Sequence, residues 1–434
     1  MAHPRFLIAT TTWWPSAARL AVAFGQLGAE VSAVCPRGHP LRVLTHLQAI
    51  HIYTASDPLQ ALVRAIRAEK PDVIVPTDDR AVDHLHALHE SADRFGADAD
   101  LLRAVIERSL GTPSGYGLSG KRQRLLDAMR SDGIDVPDGR TIRSPDEMRA
   151  WYADFPGTCV VKAEGSWGGS GVVVARTQAA AEAARLEMSQ PLALRKALRI
   201  LLVDRDPFPF VQFMRRERRE VMVQRHIVGQ QANIMAACWE GEILGSISVA
   251  VLRAQGHTGA ATVIRTIDSP EMESAARLMA KRLGLSGFFG LDFMVEEASG
   301  RYFLIEMNPR ATQLGHLVRK GRSLASCLFT ALGGTAPVAE NAPDDDRAIA
   351  LFPQALRFEA AWPELKNAKV DVPWTEPELV AELLRPPWTK RSLLARIETR
   401  LRRNDAYGTV LSRRKAAQIL ATLSGQAPAG QAPA

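Results

Sequence analysis

Glu306, Asn308 and Arg310 close the run YFLIEMNPR, in which an apolar stretch, Tyr302 to Ile305, ends in a carboxylate, an amide and a guanidinium at alternate positions. Side chains two apart on an extended chain share a face, so the three would project together, and such a cluster is costly to bury unless something charged answers it. The preceding run, FGLDFMVE, is joined to it by a turn at residues 297–300, so the two read as an antiparallel hairpin on which Asp292 lies opposite Glu306 if the faces match. Two carboxylates and an amide oxygen converging from two strands suit magnesium, a hard ion that takes oxygen ligands and fills its shell with phosphate and water. Arg310 would then contact a phosphoryl group. An internal salt bridge from Arg310 to a carboxylate answers the same charges without a metal.

Three earlier stretches bear on phosphate chemistry. In VVKAEGSWGGSGVVVA, Lys162 stands at the end of an apolar strand, and Gly165, Gly168, Gly169, Ser170 and Gly171 make a small-residue loop before a second strand. Glycines let backbone N–H groups approach an anion closely, and the lysine adds charge; a flexible hairpin with no ligand has the same composition. GYGLSGKR nearly matches the phosphate loop G-x-x-x-x-G-K-[ST], but its last position is Arg122 and no apolar strand leads into it. Lys121 still stands where a helix begins, and the partial positive charge of a helix N-terminus would add to its own. In VMVQRHIVGQQANIMAACW, two strands flank a break at Gln224–Gly229 that suits an adenine edge and equally suits a plain meander.

The elements that would position these residues follow from periodicity. FLIAT, a helical pattern through Leu27, VSAVC, a second helical pattern over residues 58–69 and the strand Val73–Val75 alternate in the way of a parallel sheet covered on both faces. Ligands of such sheets sit at the C-terminal strand ends, so the loops with Trp13 and Trp14 and with Asp78 and Asp79 are candidate substrate contacts. The G-x-G-x-x-G turn of a dinucleotide site is missing after the first strand, where TTTWW stands. His84, His86 and His89 fit one helix face only in part and read as exposed helix residues. A helix from Lys121 to Ser131 and one capped at Ser144-Pro145-Asp146-Glu147 lead into the glycine hairpin.

Composition is that of an ordinary globular chain of 434 residues. No segment approaches the roughly 20 apolar residues of a membrane span and the N-terminus lacks a secretory pattern, so a cytoplasmic protein is expected. Four scattered cysteines suggest neither disulfides nor a cysteine metal site. The net charge of +7 is concentrated in residues 385–415, which hold ten Lys/Arg and two acids. There Leu393, Leu394, Ile397 and Leu401 form an apolar stripe that suits a membrane-surface helix or a terminal helix docked on the body. Aromatic residues are not interleaved with the basic ones, so nucleic-acid binding is not expected.

In order and spacing the four motif stretches resemble the ATP-grasp superfamily, especially its carboxylate-amine ligases and carbamoyl phosphate synthase-like members. The resemblance implies an α/β and α+β chain with the ATP-grasp fold. Its parts would be a Rossmann-like pre-ATP-grasp domain (residues 1–110), an ATP-grasp domain (111–335, lid about 155–225), a C-terminal extension (336–424) and a disordered tail (425–434). Lys121 and Lys162 would bind ATP phosphates under the loop Gly165–Gly171, with Gln224, Arg225, His226 and Ile227 as the adenine hinge. Asp292, Glu306 and Asn308 would hold magnesium, expected as two ions and replaceable by manganese, and Arg310 would stabilise the transferred phosphoryl group. Trp13, Trp14, Asp78, Asp79, His257 and Arg265 would meet a small carboxylate and an amine.

Several features depart from the family pattern. Gln224, Arg225, Gln230 and Gln231 stand where the hinge commonly carries acids, residues 186–220 form an unusually long segment containing RRERR, and ATQLGHL lacks the glutamate of biotin carboxylase-like members. The implied reaction is amide formation through an acyl phosphate; the alternatives are a carbamoyl phosphate synthase-like carboxyl kinase or carboxylase and a non-catalytic ATP-binding regulator.

Overall fold

The structure, a computed structural model, describes residues 3–165, 171–204, 206–216, 218–256, 259–336, 347–359 and 367–387, with positions 391, 393, 395 and 421. Most of the basic stretch and the whole terminal tail lie outside the described residues; of the apolar stripe only Leu393 is described, and it is exposed.

A parallel sheet opens the chain, in the order Ile50–Ile52, Glu30–Cys35, Arg5–Ala9, Val73–Pro76. Within the strand Arg5–Ala9 every residue from Phe6 to Ala9 is apolar and buried, because helices cover both faces. Phe6 and Ile8 pack towards the helix Pro15–Gln26, whereas Leu7 and Ala9 face the helices Pro58–Glu69, Asp79–Glu90 and Ala99–Leu110. The histidines are not exposed as expected. His84 is buried with its Nε2 3.0 Å from the Tyr53 hydroxyl, His86 stacks on Tyr116 at 4.2 Å, and His89 meets Glu107 at 2.7 Å. Tyr53 and Tyr116, remote in sequence from that helix, supply apolar surface the helical spacing does not reveal.

A four-stranded antiparallel sheet follows, ordered Gly139–Thr141, Val221–Arg225, Cys159–Ala163, Val172–Ala175, with the helices Pro145–Asp154 and Gln178–Ser189 on one side. Ser144 caps the first of these helices, accepting from the Glu147 N–H at 3.1 Å. A seven-stranded sheet comes last, ordered Tyr302–Asn308, Gly287–Glu296, Gly229–Trp239, Glu242–Ala254, Ala261–Ile267, Ile349–Ala350, Lys369–Val370. Its two end strands come from the C-terminal segment, and the helix Pro377–Leu384 packs into the same core as the parallel sheet. The helices Arg122–Ser131 and Pro270–Leu283 cover its other face. All four cysteines are free thiols, and among the described residues no helix is long and apolar enough to cross a membrane.

Candidate active site

Register decides what the strand-end cluster can do. Gly290 pairs with Asn308 and Asp292 with Glu306, but Phe293 pairs with Leu304, so Ile305 is an extra residue in the ladder. A bulge of this kind re-aims the side chains beyond it. Leu304 therefore joins Phe293 and Leu291 in the helix-covered core, while Glu306 emerges on the other face beside Asp292. Strict alternation would have put Glu306 on the face of Leu304. Asn233, opposite Asp292 on the next strand, adds an amide to the same face.

The charges on this face answer one another closely. Asp292 accepts from the Asn308 amide at 3.0 Å and from the Asn233 amide. Loss of hydration, then the neighbouring Glu306 carboxylate, push its carboxyl up to about 6 despite those donors. Glu306 is met by the Arg122 guanidinium at 2.5 Å, which also donates to the Ala163 carbonyl at 3.3 Å. Lys162 is buried and donates to Gln224 Oε1 at 2.8 Å and to the carbonyl of the bulged Ile305 at 3.4 Å. Burial lowers its ammonium to about 8, a shift that Glu306 opposes and Arg122 reinforces. Arg310 forms its salt bridge with Asp79, at the start of the helix Asp79–Glu90, Nε to Oδ1 3.1 Å, rather than with a strand carboxylate, and donates to Asn308 Oδ1 at 3.0 Å.

Among the described residues no group of three or more His, Cys, Asp and Glu could hold a metal. Two carboxylates and the amide oxygen of Asn308 nevertheless form an all-oxygen donor set that fits a hard divalent ion completing its shell elsewhere. Like charges facing each other across one ladder, with the Asp292 carboxyl raised as a result, are the electrostatic counterpart of that fit.

The other sequence candidates fall into place around this cluster or away from it. Lys121 is exposed at the N-terminus of the helix Arg122–Ser131, and it is the next residue, Arg122, that turns inward. The first N–H groups of that helix, from Arg122 and Gln123, point at Glu164 at 3.3 and 3.4 Å, so the chain's own carboxylate answers the helix end. Gly165 and Gly171 take positive φ angles of 65° and 80°, which side chains disfavour; Gly168, Gly169 and Ser170 lie outside the described residues. Gln224–Ile227 runs from the strand Val221–Arg225 into the break before Gly229. Gln224 and Ile227 are buried, burial lowers the His226 imidazole, and Arg225 reaches Asp138 at 3.5 Å and Glu296 at 3.4 Å.

Of the expected substrate contacts, Asp79 meets the cluster through Arg310. Asp78 is instead committed as a cap, accepting from Thr10 Oγ1, Thr11 N, Thr11 Oγ1 and Ala81 N at 2.6–3.0 Å. The Trp13 ring lies 4.8 Å from the Arg357 guanidinium of the C-terminal segment, and Trp14 precedes the helix Pro15–Gln26. Arg265 is not brought to the cluster. It is exposed two strands beyond, and the ladders put it level with Phe293, on the opposite face from Asp292. His257 lies outside the described residues. The reading of motifs missed Arg122, whose signal was only its place beside Lys121, and Asn233, a lone polar residue in the apolar run ANIMAACW.

Comparison with known proteins agrees with this architecture. The family profile of the ATP-grasp domain matches residues 200–313. The carbamoyl phosphate synthase large chain of Thermus thermophilus is 23% identical over 335 residues, 73% of this chain and 29% of that one. That of Rubrobacter xylanophilus is 26% identical over 279 residues, 62% of this chain and 24% of that one. The chain thus spans about a quarter of the length of these relatives. Among solved structures, the biotin carboxylase domain of Hydrogenobacter thermophilus 2-oxoglutarate carboxylase, in complex with MgADP, ADP and bicarbonate, superposes with a TM-score of 0.55 at 14% identity, covering 78% of this chain and 71% of that one. N5-carboxyaminoimidazole synthetase of Staphylococcus aureus, complexed with ADP, gives a TM-score of 0.51 at 14% identity and 79% coverage of each chain. Residues 200–313 thus carry the ATP-grasp domain profile, and over about four-fifths of its length the chain has the fold of these solved structures.

Proposed function

We propose that this protein is an ATP-dependent carboxylate-amine ligase. A carboxylate oxygen of the substrate takes the γ-phosphoryl group of ATP, ADP leaves, and an amine displaces phosphate from the acyl phosphate to give an amide. The observation that carries the reading is the junction where Asp292, Glu306 and Asn308 on one sheet meet Lys162 and Gln224 of the lid sheet, flanked by Arg122 and Arg310. In phosphoryl transfer the protein mainly positions the groups and neutralises charge. Lys162 and Arg122 would hold the phosphates, and Arg310, oriented by Asp79 and Asn308, would meet the transferred group. Magnesium, held by Asp292, Glu306 and Asn308, would supply charge neutralisation at the phosphates. Gln224–Ile227 supports adenine recognition, since the chain there leaves one sheet before entering the next.

A carboxyl kinase or carboxylase is the second reading, favoured by the similarity to carbamoyl phosphate synthase chains and to the carboxylases above. ADP and phosphate release with ATP, magnesium and pooled carboxylates and amines separates the readings. Release that needs both substrate types and disappears in Glu306→Gln is expected. Release with a carboxylate or bicarbonate alone would favour the kinase or carboxylase, and ATP binding without any release would favour a regulator.

A further inference from the structure

We propose that the exposed side of the helices Leu194–Arg199 and Phe208–Met214, within the long segment 186–220, is a docking surface for an anionic lipid membrane. The run MSQPLALRKALRILLV, residues 188–203, holds Arg195, Lys196 and Arg199 and no acid. It is helical from Leu194 to Arg199 and continues as a wider turn, Ile200–Asp204. Leu194, Leu198 and Leu202 are spaced by four and so share one side of that helix. They are 47%, 37% and 62% exposed, whereas Ala197 is fully buried on the inward side. Met214, ending the adjoining helix Phe208–Met214, is 65% exposed. Arg195 and Lys196 are exposed on the same helix as the leucines, and Arg216, Arg218 and Arg219 are exposed just after Met214.

This segment is held in a fixed pose from its other side. Arg80, a buried residue of the parallel-sheet domain, donates to both oxygens of Asp206 at 3.1 and 3.0 Å. Phe208 lies 4.2 Å from the same guanidinium and packs edge-on to His84. This clamp turns the leucine side outward. A second copy of the chain would bring its own Arg195 and Lys196 against these, a like-charge juxtaposition that costs stability. Protein interfaces favour aromatic residues at their centre and are poor in lysine, and the phenylalanines here, Phe208, Phe210 and Phe213, are half-buried while lysine and leucine are displayed. Leucines on one side with Arg and Lys beside them suit the boundary between acyl chains and anionic headgroups.

Sedimentation of the full chain with vesicles of phosphatidylglycerol and phosphatidylcholine, and with phosphatidylcholine alone, tests the assignment. Binding to the anionic vesicles only is expected. It should weaken by at least about tenfold in Arg195→Glu/Lys196→Glu, with each charge near the surface contributing roughly fivefold, and disappear in Leu198→Asp/Leu202→Asp, both with unchanged melting temperatures. No binding by the wild-type chain would overturn the proposal. So would binding retained in both variants, which would move the membrane contact to residues 385–415, and so would concentration-dependent dimerisation that the leucine substitutions abolish while vesicles are ignored.

Discussion

Arg122 and Lys121 are adjacent, yet only one of them faces the cluster. A helix N-terminus points its first side chains in directions about 100° apart, so the residue beside a motif position can take the inward place. Arg122→Ala removes the partner of Glu306 and is expected to lower the ATP-dependent release rate, as kcat/KM, by about 10²–10³, whereas Lys121→Ala should change it by less than about threefold; the two variants assayed in parallel decide between the positions. Asp292, Glu306, Asn308 and Arg310 were legible because their types and alternation are rare at the end of an apolar strand. Asp78 is expected as a substrate contact because an aspartate that caps a helix and one that binds a substrate look alike in sequence. Only the four donors around Asp78, from Thr10, Thr11 and Ala81, tell them apart.

At the scale of elements, the parallel-sheet strands and the hairpin were readable because burial on one or both faces imposes a strict apolar period. The bulge at Ile305 was not, since the apolar run Tyr302–Ile305 gives no sign of which residue is extra, and the choice is made by Leu304 fitting the core beside Phe293. The long segment 186–220 was recognised only by its length. Its docking rests on Arg80 and Asp206, 126 residues apart, a pairing no local pattern encodes. Arg80→Ala leaves Asp206 without its bidentate partner and Phe208 without its cation. Loss of a pair with one buried member is expected to cost about 2 kcal/mol of local docking energy, which is about thirtyfold in the opening equilibrium. Amide exchange within residues 194–214 should rise by that factor while exchange in the strand Arg5–Ala9 stays unchanged, and equal protection in variant and wild type would show that the clamp does not hold the segment.

The whole molecule is joined around one carboxylate. Asp371 of the C-terminal segment takes Arg19 Nη2 at 2.6 Å and His316 Nε2 at 2.7 Å, linking the first helix, the loop after the strand-end cluster and the last strands of the large sheet. Burial alone would raise the Asp371 carboxyl; the Arg19 charge and then His316 more than reverse this, from an ordinary 3.8 down to about 2. His316 is itself held below its usual range, first by burial and then by Arg19, so it stays neutral near pH 7 and donates to the carboxylate. A carboxyl lowered on folding stabilises the folded chain above its unfolded pKa and loses that contribution as pH falls through the folded one. Such a lowering is worth about 2 kcal/mol at neutral pH, and removing the charge also strands the buried Arg19. Asp371→Asn is therefore expected to lose about 2–4 kcal/mol at pH 7, with the gap between variant and wild type closing as pH drops from about 4 towards about 2. Urea unfolding across that range measures it. A gap independent of pH would mean that packing of the C-terminal segment, and not the Asp371 charge, holds the three parts together.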